Sequence, residues 1–335
     1  MKTLLILIAT ITPATATPTI PPGVFSLVGN GAPIASASLA NPNVDGIAIR
    51  QKWADVNPSP GVFNWAYLDT EIARARAAGK AVLLRIADGG NSIPRWVLNG
   101  AATRYSYRDT DGSIITIPVF WDAYFLAKKQ TLIAAVGARF SGNPAVRIAS
   151  FGVANSRSAD WFVPHNPTNI SDWHRVGYTS QKLINASNTT IGAEMAAFPN
   201  QVIVMAQNPN GNLDPSPDYL SAAVISNGRA QYGDRLVVDK YNLSAKTPVA
   251  PPPNGSFWSL WYQSRPAVGA QMLWNCANDS SYRMNGGVPA DPSTVLLHAV
   301  RTGLGYGAHY QEIYQIDVLN LTAAIAQAHT LLTSP

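Results

Sequence analysis

Short apolar runs alternate with longer amphipathic stretches along most of the chain. Eight of the runs have the length of about four to eight residues and the β-rich composition that are typical of buried strands. They recur at a roughly even spacing from residue 23 onward. The predicted strands are 23–27, 46–52, 81–86, 146–153, 201–206, 235–241, 270–274 and 310–316.

Helical patterns fill the intervals between these runs. The clearest is 65–79, where Leu68, Ile72 and Ala75 recur on one face and Gly79 supplies a stop signal. The stretches 120–140 and 321–332 are the next clearest predicted helices.

Eight strand–helix pairs predict a closed parallel barrel. Parallel neighbours need a long crossover connection, generally a helix, and eight such units close a barrel. We therefore predict an α/β protein in which residues 17–335 form a single (βα)8 TIM barrel. A doubly wound open sheet is the alternative, but no G-x-G-x-x-G follows the first strand. Two insertions are expected, a hairpin within 99–117 and a Pro-rich loop at 247–255.

Composition narrows the range of ligands. Only 13% of the 335 residues are charged, while 9 Trp and 13 Tyr are present, which favours a neutral ligand such as a carbohydrate. The net charge of +5 is spread along the chain, so no nucleic-acid partner is predicted. The 5 His lack metal-binding spacing, and no metal or other cofactor is predicted.

The amino terminus has the pattern of a secretory signal peptide. Lys2 precedes an apolar run and then small residues, so 1–16 is predicted to direct export, to the periplasm or the extracellular medium. The run is shorter than the roughly 20 apolar residues that span a bilayer, and no membrane span is predicted.

The carboxyl ends of barrel strands are where functional residues lie. The predicted ends carry amides, aromatic rings and isolated charges, a combination suited to sugar hydroxyls and C–H faces. The candidate ligand-binding residues are Arg50, Trp53, Arg85, Asn155, Trp161, Tyr241, Gln271 and Trp274.

Four segments of the first hundred residues resemble a known family. They read GIAIRQKW (46–53), NPSPGVFNW (57–65) followed by Leu68-Asp69, GKAVLLRI (79–86) and PRW (94–96). This pattern resembles the start of the clan A glycoside hydrolases, and most of all the β-galactosidase-type barrels of family 42. The resemblance implies a TIM barrel that acts on an oligo- or polysaccharide.

The usual catalytic pair of that family is not evident. The resemblance implies an Asn-Glu pair after the fourth strand and a Glu after the seventh, but the matching residues are Asn155-Ser156 and Gln271. The remaining candidates are Asp160 as proton donor and Glu312 as base or nucleophile. An inverting mechanism, with carboxyls about 6.5–9.5 Å apart, suits two residues on distant strands.

Each candidate also has a structural interpretation. Asp160 could be a turn or helix-cap residue, and Glu312 could form an ion pair with Arg50 or Arg85. The chain is therefore predicted to be a secreted glycosidase that hydrolyses O-glycosidic bonds of a neutral carbohydrate. The alternatives are a sugar-binding barrel without catalysis and an unrelated hydrolase on the same scaffold.

Overall fold

The computed structural model describes residues 18–108, 112–153, 167–207 and 218–334, and for 167–169 it describes the backbone alone. The predicted signal peptide, 1–16, lies outside these ranges, as do Asn155, Asp160 and Trp161. Among the described residues, no helix is both long and apolar enough to cross a membrane.

Ten strands form within the described ranges. They are β1 (Gly23–Leu27), β2 (Gly46–Lys52), β3 (Ala81–Ala87), β4 (Arg104–Arg108), β5 (Ile114–Pro118), β6 (Val146–Phe151), β7 (Val202–Ala206), β8 (Leu236–Leu243), β9 (Val268–Met272) and β10 (Ala308–Tyr314).

Eight of these strands close into a parallel barrel in the order β1-β10-β9-β8-β7-β6-β3-β2. Every neighbouring pair in the barrel is parallel, including β1 with β2, which closes the ring. The predicted single-domain (βα)8 TIM barrel is confirmed.

Twelve α-helices are formed by the described residues. They are α1 (Ser36–Ala40), α2 (Trp53–Val56), α3 (Ala66–Ala77), α4 (Arg95–Gly100), α5 (Ala123–Phe140), α6 (Pro167–Arg175), α7 (Ser180–Ala197), α8 (Tyr219–Tyr232), α9 (Ser259–Gln263), α10 (Pro292–Gly305), α11 (Gln315–Asn320) and α12 (Thr322–Thr333).

The three predicted helices correspond to α3, α5 and α12, with starts that local chemistry sets. α5 begins three residues later than predicted because Asp122 caps it, accepting a hydrogen bond of 3.0 Å from the backbone N–H of Phe125. α3 buries Leu68, Ile72 and Ala75, the three residues of its predicted apolar face.

The predicted insertion after β3 is a hairpin of β4 and β5, which pair antiparallel. Alternation along β4 buries Tyr105 and Tyr107 on one face. The Tyr105 ring lies edge-on to Trp173 of α6 at 5.0 Å, which anchors the hairpin on the carboxyl-end side of the barrel.

Two aromatic rings pack inside the barrel, on the amino-terminal side of Glu312. Phe25 and Tyr310 lie 5.3 Å apart, centroid to centroid, and both are fully buried. Glycines make room for them: a Cβ at Gly46 would lie 2.3 Å from the Phe25 ring, and one at Gly269 would lie 2.4 Å from the Tyr310 ring. Glu312 follows Tyr310 on the same face of β10, one step nearer the carboxyl ends, where the interior becomes polar.

Candidate functional site

A buried ion pair crosses the bore directly above the aromatic rings. Arg85 of β3 donates hydrogen bonds of 2.7 and 2.9 Å to the two carboxylate oxygens of Glu312 on β10. Both side chains are buried, with exposures of 4% and 0%. The sequence left Arg50 and Arg85 as possible ion-pair partners of Glu312, and in the structure the partner is Arg85.

Three further polar groups surround the Arg85 guanidinium. Its Nη1 also donates to Gln271 Oε1 at 3.0 Å, and Asp239 Oδ2 lies 3.8 Å from its Nη2. Asp239 in turn accepts a hydrogen bond of 3.1 Å from the Tyr310 hydroxyl. We call Arg85, Asp239, Gln271, Tyr310 and Glu312 the central network.

Burial controls the charges in the central network. Burial and the neighbouring Glu312 carboxylate raise the pKa of Asp239 well above its usual range, which favours its protonated form. Burial opposes the charge on Arg85, but Glu312 outweighs it and raises the pKa of Arg85 well above its usual range. The network thus holds one guanidinium near two carboxyl groups, and the raised pKa of Asp239 makes it the one that protonates more readily than a free aspartate.

Tyr241, in the bore, and Arg50, nearer the mouth, border the central network. The guanidinium of Arg85 lies over the Tyr241 ring, 4.5 Å from its centroid. Arg50 of β2 is half-buried, and its Nε donates a hydrogen bond of 2.8 Å to the carbonyl of Val28. Burial and the charge of Arg85 lower the pKa of Arg50.

Two aromatic side chains, Trp274 and Tyr314, form what we call the aromatic rim. Their ring centroids lie 5.8 Å apart, and 40% of Trp274 is exposed. The guanidinium of Arg283 lies 5.2 Å from the Trp274 ring centroid. Tyr314 pairs with Leu27 at the end of β1, and Arg50 donates to the carbonyl of the next residue, Val28, which places the aromatic rim beside Arg50.

Hydrogen bonds from the backbone to a buried carboxylate hold the loop that carries Trp274. Asp317 of α11 is fully buried and accepts hydrogen bonds from the backbone N–H groups of Cys276 (2.9 Å) and Ala277 (2.7 Å). Because these bonds order the chain just after Trp274, the indole is held at the mouth by structure outside the ligand site.

A second buried cation lies outside the bore. Lys240 Nζ donates to Gln207 Oε1 at 2.6 Å and lies 4.8 and 4.9 Å from the ring centroids of Phe257 and Trp258. Burial, only partly offset by the charge of Asp218, lowers its pKa to about 7. The side chain is fully buried and faces away from the central network.

Six of the sequence-predicted site residues share the carboxyl-end half of the barrel. Four belong to the bore, and Arg50 and Trp274 lie nearer the mouth. The predicted base Glu312 is fully buried, with both oxygens bound to Arg85, an arrangement that does not support a role as base or nucleophile. The four in the bore are Arg85, Tyr241, Gln271 and Glu312.

The predicted sugar platform Trp53 is corrected by the structure. Trp53 begins α2 and is fully buried, with its ring 5.9 Å from that of Phe125 and its Nε1 donating to Asn57 Oδ1 at 3.4 Å. It belongs to the core between barrel and helices and has no surface to offer a ligand. Asn155, Asp160 and Trp161 lie outside the described residues.

The candidate ligand-binding residues predicted from the sequence did not include Asp239, Tyr314 or Arg283. The signal for Asp239 was present, because alternation on β8 puts Asp239 and Tyr241 on the same face. Arg283 lies eleven residues after the end of β9, at the start of a 3-10 turn (Arg283–Asn285), where no periodicity could place it. Within the described ranges, no cluster of three or more His, Cys, Asp or Glu side chains could hold a metal ion.

The eight parallel strands that close into one ring define a (βα)8 TIM barrel. The fold is similar to that of the β-galactosidase from the psychrophilic Marinomonas ef1, with a TM-score of 0.58 and 10% identity over 88% of this chain and 54% of that one. It is similar to the catalytic domain of β-amylase from Paenibacillus polymyxa, with a TM-score of 0.59 and 11% identity over 93% and 99% of the two chains. For native xylanase10C from Cellvibrio japonicus the TM-score is 0.56, with 12% identity over 95% and 72%.

These likenesses confirm the predicted resemblance at the level of the fold. The chain spans about half the length of the β-galactosidase that it resembles. No protein-family model matches the chain, and no curated protein gives a significant match to its sequence.

Proposed function

We propose that the protein binds a carbohydrate at the open end of its barrel. The observation that carries the proposal is the aromatic rim, Trp274 and Tyr314, held beside guanidinium groups above a rigid polar floor. An exposed indole face suits the C–H surface of a sugar ring, and amide and guanidinium donors suit its hydroxyls. The fold shared with a β-galactosidase, a β-amylase and a xylanase supports the same class of ligand.

The enzymatic form of this proposal is hydrolysis of an O-glycosidic bond, with Asp160 as proton donor. Glycoside hydrolysis needs two carboxyl groups that flank the scissile bond. Glu312 is fully buried and doubly hydrogen-bonded to Arg85, so we assign it to the floor of the site and not to the attack on the sugar. Residues 1–16 support export of the protein to the periplasm or the medium, where extracellular glycans are met.

Binding without cleavage is the second candidate, and one arrangement in the bore favours it. Gln271 stands where the resemblance implies the nucleophilic Glu, and its amide oxygen accepts a hydrogen bond of 3.0 Å from Arg85. An amide cannot form a glycosyl ester. Gln271 is therefore part of the central network and supplies no nucleophilic carboxylate.

A panel of aryl glycosides and oligosaccharides tests both forms. Titration calorimetry of the wild-type protein should give saturable binding to at least one oligosaccharide. Turnover that disappears in Asp160→Asn supports hydrolysis, whereas binding without turnover supports the second candidate. Turnover that survives in Asp160→Asn would reveal a different hydrolase, and absence of any saccharide binding contradicts the proposal.

A further inference from the structure

Arg50 is a half-buried cation whose guanidinium is only partly satisfied. Its Nε donates to the carbonyl of Val28, but among the described residues no carboxylate lies within ion-pairing distance of it. Other arginines of the described chain do have such partners: Arg85 pairs with Glu312, and Arg139 pairs with Asp69 at 2.7 Å. Since a desolvated charge is costly without a counter-ion, Arg50 is suited to receive one from a ligand.

Within the described part of the chain, the charge of Glu312 reaches Arg50 and opposes the lowering of its pKa by burial, but both Glu312 oxygens are already bound to Arg85. The positive charge of Arg85 is matched by Glu312, and burial favours the protonated form of Asp239. Two acidic side chains in the segments that follow Trp274 and Tyr314 are hydrogen-bonded to backbone groups. Asp317 accepts from the backbone of residues 276 and 277, and Asp279 accepts 2.9 Å from the backbone N–H of Met284.

A second guanidinium lies on the other side of the aromatic rim. Arg283 is exposed, and its guanidinium lies 5.2 Å from the centroid of the Trp274 ring. The rim is thus flanked by Arg50 toward the bore and by Arg283 toward solvent. A guanidinium presents parallel N–H donors whose planar fork matches a carboxylate.

We infer that the carbohydrate bound at the open end carries a carboxylate, as a uronic acid residue does. Its ring lies against Trp274 and Tyr314, and its carboxylate is directed to Arg50. This inference rests on the proposed carbohydrate binding and names the chemical class of the glycan. It replaces the neutral ligand that the low charge of the chain predicts.

The test compares matched ligands. Oligosaccharides of glucuronic or galacturonic acid are titrated in parallel with their carboxyl-reduced twins, which keep the ring and lose the charge. We expect the wild-type protein to bind the uronate form about tenfold more tightly or better, the size of effect that a charge-assisted bidentate contact gives. In Arg50→Gln this preference should fall to about twofold or less, and in Arg283→Gln it should fall in part.

Arg147→Gln is the matched control. Arg147 is also half-exposed but lies at the opposite, amino-terminal end of β6, where it contacts Thr19. The Arg147→Gln variant loses the same positive charge far from the barrel mouth, so it should keep the full preference for the uronate form. A reduction of the preference equal to that of Arg50→Gln would overturn the inference, because it would reflect net charge alone.

The outcomes separate this inference from the proposed function. Equal affinity of the wild-type protein for the uronate and reduced twins overturns the inference and leaves carbohydrate binding intact. Binding of sulfated but not carboxylated oligosaccharides overturns it as well. Failure to bind any saccharide, charged or neutral, contradicts the proposed function itself.

Discussion

Arg85 and Glu312 are 227 residues apart in the chain and meet across the barrel in a doubly hydrogen-bonded ion pair. Their strands, β3 and β10, are not neighbours in the ring but are separated by β1 and β2. The pair therefore joins two strands of the barrel that share no backbone hydrogen bonds.

Removing the cation of this pair should destabilise the fold strongly. We expect Arg85→Met to lower the free energy of unfolding by about 3–5 kcal/mol, because Glu312 stays buried without its counter-ion. Urea denaturation followed by circular dichroism measures the change. Arg139→Met, which removes the exposed pair with Asp69, is the control and should have a far smaller effect. A loss of less than about 1 kcal/mol in Arg85→Met would contradict the role given to the pair.

Asp239 should make stability fall as pH rises. Its pKa in the folded protein is raised above the value of 3.8, so between these two pKa values the folded state binds one more proton than the unfolded state. Stability from this group is fully present below pH 3.8 and is lost as pH rises toward the folded pKa, by about 1.4 kcal/mol per pH unit. Relative to Asp239→Asn, the wild-type protein should become progressively less stable through this window. If the free energies of unfolding of the two proteins differ by the same amount at every pH, the pKa of Asp239 is not raised in the folded protein.

Lys240 should have the opposite effect at higher pH. Its pKa is lowered from 10.5 to about 7, so between these values the unfolded state binds one more proton than the folded state. The wild-type stability should therefore rise by about 1.4 kcal/mol per pH unit from about pH 7 upward, measured against Lys240→Met, in which nothing titrates at this position. If the two proteins show parallel pH profiles, Lys240 is not the desolvated cation that its partners Gln207, Phe257 and Trp258 indicate.

The two tryptophans predicted to bind sugar should behave differently. Trp53→Ala should cost about 3–5 kcal/mol of stability, because it empties a fully buried site beside Phe125. Trp274→Ala should leave thermal unfolding nearly unchanged and weaken glycan binding about tenfold, because the indole is partly exposed on the aromatic rim. Calorimetric titration and thermal melts of both variants check this. Undiminished glycan affinity in Trp274→Ala would contradict the role of the aromatic rim in binding.

The sequence could predict the barrel because its strands are regular apolar runs. The bounds of β1 and β2 agree with the prediction, whereas the run predicted at 270–274 is found two residues earlier, at Val268–Met272. The strand includes the small residues Gly269 and Ala270, which carry a weak β signal. Leu273 and Trp274, which were predicted to end the strand, lie beyond it, and Trp274 belongs to the aromatic rim.

The site was less predictable because its contacts are long-range. Alternation could place Glu312 inside the barrel, but only the folded chain shows that both of its oxygens are taken by Arg85. Trp53 follows a strand end as Trp274 does, yet α2 begins at Trp53 and its indole is buried in the core. Burial of one indole and exposure of another depend on the neighbouring helices and loops, which residue type alone does not specify.

A crystal structure of the protein with a bound oligosaccharide tests the central claim most directly. The account predicts electron density for a sugar ring against Trp274 and Tyr314, with its polar groups within hydrogen-bond distance of Arg50. Sugar density at another surface, with the aromatic rim empty, would contradict it.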